Sequence, residues 1–178
     1  MSKSLFQDTA VLAILCSIER GNNARGNFDG RKLKNFKYRE ECPVYYGNYT
    51  RRPKGRADLC VEITYDKNNQ WELTEDYIFE CKSSVDDLHS GCGLNFCGDR
   101  NFIVIPDYSE ADLYKKCPWK LTYEVVEDYL KEKGLPGVGI LILKSEKIIC
   151  KKMSWADCDY GWLFQTAFGD YYDQTTSD

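Results

Sequence analysis

The chain has 178 residues, 43% of them hydrophobic and 14% aromatic, and a net charge of −4. This length predicts a single domain with a real core, and the aromatic content excludes a disordered chain. The longest apolar run, Ala10 to Cys16, is too short to span a membrane and lacks the small residue that would mark secretory processing. The expectation is a cytoplasmic protein with no membrane partner.

Leu5 to Glu19 reads as an amphipathic helix, with Leu5, Leu12 and Leu15, and also Val11, Ile14 and Ile18, near helical spacing and Gly21-Asn22-Asn23 as the stop. Residues 22–56 are rich in Gly, Asn and Pro and read as a loop-rich stretch with at most short strands. That stretch is basic: from Arg25 to Arg56 ten Lys and Arg stand against three acids, a balance of +7 that leaves −11 for the remainder. Phe36, Tyr38, Tyr45 and Tyr49 are interleaved with the cations. Such a pattern suits cations on phosphates and rings on bases, and equally suits a solvated loop whose rings plug the core.

Ala57 to Tyr65 alternates Asp58, Cys60, Glu62 and Thr64 on one face with Leu59, Val61, Ile63 and Tyr65 on the other, the period of a half-buried strand. Residues 66–69 mark a turn, and Tyr77 to Lys82 is a second strand. Ser83-Ser84-Val85-Asp86 carries the cap chemistry that begins a helical turn. Beyond the Gly-rich stretch 91–98, Asn101 to Ile105 is a short buried strand ended by Pro106. Thr122 to Lys133 is a helix stopped by Gly134. Val138 to Leu143 and Ile148 to Lys152 form a closing pair of strands, and the polar tail beyond Asp170 is expected to fray. The predicted fold is an α/β sandwich around one mixed sheet.

Nine cysteines are present, without a C-x-x-C pair. Cys92 and Cys97 have half the spacing of a zinc site but no second knuckle, and the single histidine is His89. Reduced thiols follow from a reducing compartment.

Glu80 and Lys82 are two apart on one strand, so both side chains leave the same face about 7 Å apart, while Phe79 and Cys81 point into the opposite layer. Asp58, on the preceding strand, approaches Glu80 across the ladder if the two strands pair as a hairpin. Convergent acids suit a hard cation, and a neighbouring lysine suits orientation or deprotonation of an attacking water. The same E-x-K spacing also arises as a plain cross-strand charge pair. Glu62 shares the face of Asp58 but lies about 13 Å further along, too far for the same ion. His89 is a weaker candidate base, and Asp87 a candidate support for Lys82.

Arg56-Ala57-Asp58 followed by Ile78-Phe79-Glu80-Cys81-Lys82-Ser83-Ser84 resembles the signature of the PD-(D/E)XK nuclease superfamily, with Ala57 where that signature has proline. The form is closest to small MmcB-like DNA-repair and phage nucleases, whose N-F-x-G-x-x-N-Y-x-V-x-P stretch is similar to Asn95 to Pro106 here. The likeness runs from about Arg56 to Leu143. It implies a restriction-endonuclease-like fold and a Mg²⁺- or Mn²⁺-dependent deoxyribonuclease. Asp58, Glu80 and the Cys81 carbonyl would hold metal, and Lys82 would be the catalytic lysine. A further acid on the first helix is implied, with Asp8 and Glu19 as candidates and Gln7 as an equal occupant. Arg51, Arg52, Lys54, Arg56, Ser83, Ser84 and Asn95 are expected to contact nucleic acid, DNA rather than RNA; a homodimer is one option, and the sequence leaves open whether two copies pair to cut both strands. The competing expectation is a nucleic-acid-binding module or interaction protein on the same fold that does not cut.

Overall fold

The computed structural model describes residues 3–19, 31–44, 55–67, 71–90, 94, 96–107 and 120–154. In chain order these form α1 (Lys3–Glu19), β1 (Arg31–Val44), β2 (Gly55–Lys67), β3 (Trp71–Cys81), α2 (Val85–His89), β4 (Arg100–Pro106), α3 (Tyr123–Glu132), β5 (Gly139–Lys144) and β6 (Lys147–Lys152). The strands make one mixed sheet in sequence order. β1, β2 and β3 run antiparallel in turn, β3, β4 and β5 run parallel, and β6 returns antiparallel to β5. The chain is therefore α/β, and none of its described helices is long and apolar enough to cross a membrane.

The alternation read in β2 and β3 is what divides the molecule into layers. Leu59, Val61, Ile63 and Tyr65 with Tyr77, Phe79 and Cys81 form one face, packed by Phe6, Ala10, Val11, Ile14 and Ile18 of α1. On the other face α2 and α3 deliver Leu88, Val126, Tyr129 and Leu130 onto Ile103, Ile105 and Ile140. Within α1 the buried stripe differs from the one expected: Leu5 and Leu12 face solvent, and Phe6 and Ala10 take the core positions. Apolar or small residues surround most of this helix, so periodicity alone does not choose its inward face.

The largest correction concerns the basic stretch. Residues 31–44 are a 14-residue strand rather than a loop. Its alternation is broken by a bulge between Leu33 and Asn35, which shifts the register so that Phe36, Tyr38 and Glu40 face Ile63, Val61 and Leu59. Phe36 packs against the α1 core while Tyr38 stays exposed. β3 also begins at Trp71, earlier than expected, and buries Glu75 and Asp76. The residues from Trp155 onward lie outside the described part of the chain, as does the segment 45–54.

Two close backbone approaches shape the sheet. A Cβ on Gly139 would stand 2.5 Å from ring carbons of Phe102, its partner on β4. That ring is stacked on Phe79 with centroids 5.5 Å apart, so it has no room to yield. At Gly98 a Cβ would meet the Asp76 carbonyl at 2.8 Å. The Asn101 side chain accepts from the Gly98 amide at 3.0 Å and donates to its carbonyl at 2.8 Å. The G-x-x-N spacing is thus a closed local turn that starts β4.

Candidate active site

The regular pairing of β2 with β3 ends at Leu59 opposite Phe79. One step further, Asp58 and Glu80 occupy the next row, and there the ladder is completed by a side chain. The amide of Cys81 donates to Asp58 Oδ2 at 2.6 Å. A charged acceptor on a backbone donor is a strong, short bond, and it fixes the Asp58 carboxylate against β3 between Glu80 and Lys82. Because a strand residue presents its N–H and C=O to the same neighbour, the Cys81 carbonyl also leaves β3 on the Asp58 side.

Glu80 and Lys82 point away from the α1 layer, as their spacing requires, while Phe79 and Cys81 are part of it. Both charged residues are almost wholly withdrawn from water, at 1% and 2% exposure. The Glu80 carboxylate reaches the Cys60 thiol electrostatically; burial first, then the bond with Cys42 and nearby charges including Glu80, push that thiol well up. Burying a carboxylate and an ammonium without partners is costly, so this corner of the sheet is organised around charge. The Lys82 amide donates to the Val104 carbonyl at 2.9 Å, which continues the parallel β3/β4 ladder through the site.

Beyond Lys82 the chain turns directly into α2. Ser84 is the N-cap, its hydroxyl accepting from the Asp87 amide at 3.1 Å. Asp87 Oδ2 reaches back to the Ser83 amide at 3.0 Å, and Asp87 Oδ1 lies 3.9 Å from Lys82 Nζ. Arg56 is exposed two residues before Asp58. Arg51, Arg52, Lys54 and Asn95, expected to contact nucleic acid, lie outside the described residues, as does Cys92. Cys97 lies in a buried apolar cluster with Cys42 and Cys60.

The candidate acids of α1 do not join this corner. Asp8 and Glu19 are exposed, on a helix that covers the opposite face of the sheet. Gln7 instead donates to Glu41 Oε1 on β1 at 2.9 Å. Glu62 is opposite Asp76 and apart from the site row. His89 packs edge-on against the Tyr129 ring at 4.9 Å, at the far end of α2.

The donor atoms that Asp58, Glu80 and the Cys81 carbonyl offer are all oxygen, while the Cys81 sulfur is buried in the opposite layer. Such a set fits Mg²⁺ or Mn²⁺, which keep several waters and need few protein ligands, and would suit zinc poorly. Among the described residues no group of three or more His, Cys, Asp or Glu side chains is placed to hold a metal, so a cation here would rest on two carboxylates and backbone.

A second acidic group lies on β3 away from this corner. Asp76 is 4% exposed, and among the described residues its Oδ1 has no hydrogen-bond partner. Burial, then the charges of Asp99 and Glu62, push its carboxyl up to about 8. Sequence reading missed it, because its neighbour Asp99, just before β4, is far along the chain and accepts from the Asp76 amide at 2.8 Å.

No family model matches the chain, and no curated protein matches it. Among solved structures, the SPO1766 protein of unknown function from Silicibacter pomeroyi is similar over 73% of this chain and 70% of its own. The identity is 20% and the TM-score 0.36, too loose a likeness to carry an argument.

Proposed function

We propose that this chain is a metal-dependent nuclease that hydrolyses phosphodiester bonds in DNA, and that its α/β sheet is a variant of the restriction-endonuclease-like arrangement. The observation that supports the reading most is the bond from the Cys81 amide to Asp58, which brings the Asp58 carboxylate to the row of Glu80 with Lys82 two residues on. A plain cross-strand charge pair has no need of a carboxylate that replaces the ladder bond at the end of a strand.

Asp58, Glu80 and the Cys81 carbonyl would hold a Mg²⁺ or Mn²⁺ ion. When bound, that ion supplies Lewis acidity and a water of lowered pKa. The chain's own residues then do the positioning. Lys82, buried beside Glu80, orients the attacking water toward phosphorus. Water adds as the bond to the leaving oxygen breaks, and the leaving strand takes up a proton. Arg56, exposed and two residues before Asp58, would meet a flanking phosphate.

The test is nicking of supercoiled plasmid by the purified chain. Cleavage is expected with Mg²⁺ or Mn²⁺ and none with chelator, with Asp58→Asn and Lys82→Ala folded but inactive. DNA binding with no cleavage under any of these metals would instead support a module that binds without cutting.

A further inference from the structure

Asp87 uses its two carboxylate oxygens for different purposes. Oδ2 accepts from the Ser83 amide at 3.0 Å and is 3.4 Å from the Ser83 hydroxyl, while the Asp87 amide donates to Ser84 Oγ. This pair of bonds is a relative of the capping box, with the acid at N3 accepting from the residue before the N-cap rather than from the N-cap itself, and it pins the junction between β3 and α2. It accounts for Oδ2 fully. It does not require Oδ1 to face a lysine.

Oδ1 nevertheless stands 3.9 Å from Lys82 Nζ, with the two side chains 13% and 3% exposed. Asp86, the other acid of the first turn, is exposed and is available to complement the helix N-terminus, so helix electrostatics alone do not call for a second, half-buried carboxylate. The junction is also very short: Lys82, Ser83 and Ser84 separate the last residue of β3 from the first of α2. A carboxylate anchored through the backbone of Ser83 is therefore held in a fixed relation to the lysine one residue earlier.

We propose that Asp87 is the positioning residue for Lys82, holding its ammonium at the Glu80 corner while the bonds to Ser83 and Ser84 fix where that hold is applied. The inference rests on the reading of Lys82 as the lysine of a nuclease site. On this reading the removal of Asp87 acts on turnover through Lys82, its ion-pair partner at 3.9 Å.

Asp87→Asn tests this, because Asn keeps an acceptor for the Ser83 amide and removes only the charge. On plasmid or labelled duplex DNA the expected result is a fall in kcat of roughly ten- to a hundredfold with KM unchanged. The melting temperature should be unaltered, and Asp87→Glu, which restores the charge, should recover part of the loss. A readout independent of metal and DNA is the ¹H–¹⁵N signal of the Lys82 ammonium, expected to be sharp in the wild type and broadened in Asp87→Asn. Wild-type kcat in Asp87→Asn, or a loss that follows a lowered melting temperature and that Glu does not recover, overturns the role of Asp87 while the nuclease reading stands. A wild type that cuts no DNA with any metal removes both.

Discussion

Replacing Asp76 by Asn should make the protein more stable at alkaline pH and leave it nearly unchanged at acid pH. The carboxyl is pushed up to about 8 from an ordinary 3.8 by burial and by the charges of Asp99 and Glu62. Near pH 3 the group is protonated in both folded and unfolded chains and has no effect on stability. Between 3.8 and about 8 the unfolded chain releases the proton while the folded chain keeps it, so stability falls as pH rises; above about 8 the loss is complete. At about 1.4 kcal/mol per pKa unit the gap is worth roughly 6 kcal/mol at most, and relaxation around the charge reduces it to roughly 2–3. Asn is neutral throughout and removes the penalty. Urea unfolding from pH 4 to pH 9 should give curves that coincide at the acid end and separate by that amount at the alkaline end. A difference of constant size at every pH would refute the reasoning.

Two further substitutions probe the frame that carries the site. Gly139→Ala would press a methyl into the Phe102 ring and the Ser154 amide, so the urea midpoint should fall by the equivalent of about 1–3 kcal/mol with an unchanged slope. Thr122→Ala removes the hydroxyl that accepts from the Val125 amide at the start of α3 and should cost about 1 kcal/mol in the same assay.

What was legible in the sequence was whatever rests on a period of two. Asp58, Glu80 and Lys82 on one face, with Leu59, Phe79 and Cys81 on the other, follow from alternation alone, and the structure has them there. The cap chemistry at Ser83-Ser84 and the stop at Gly134 are local and were equally readable, whereas Thr122, read as the first residue of its helix, is that helix's N-cap. β1 was hidden because the bulge at Leu33 to Asn35 interrupts its alternation and because its many cations look like a solvated loop. The early part of β3 was hidden for a different reason. Glu75 and Asp76 read as surface acids, and only the fold supplies Arg100, 3.8 Å from Glu75, and the burial that pushes the Asp76 carboxyl up. The inward face of α1 was undetermined because apolar residues surround its axis, and only packing onto Phe79 and Leu141 selects Ile14 and Ile18 over Leu12.

A nuclease site here requires Asp58 and Glu80 to share one cation, and Mn²⁺ titration followed by electron paramagnetic resonance measures that without substrate or turnover. Wild-type protein should take up Mn²⁺, with binding weakened at least roughly tenfold in Asp58→Asn and in Glu80→Gln and retained in Lys82→Ala. Mn²⁺ binding that is absent from the wild type, or unchanged when either carboxylate is neutralised, would contradict it.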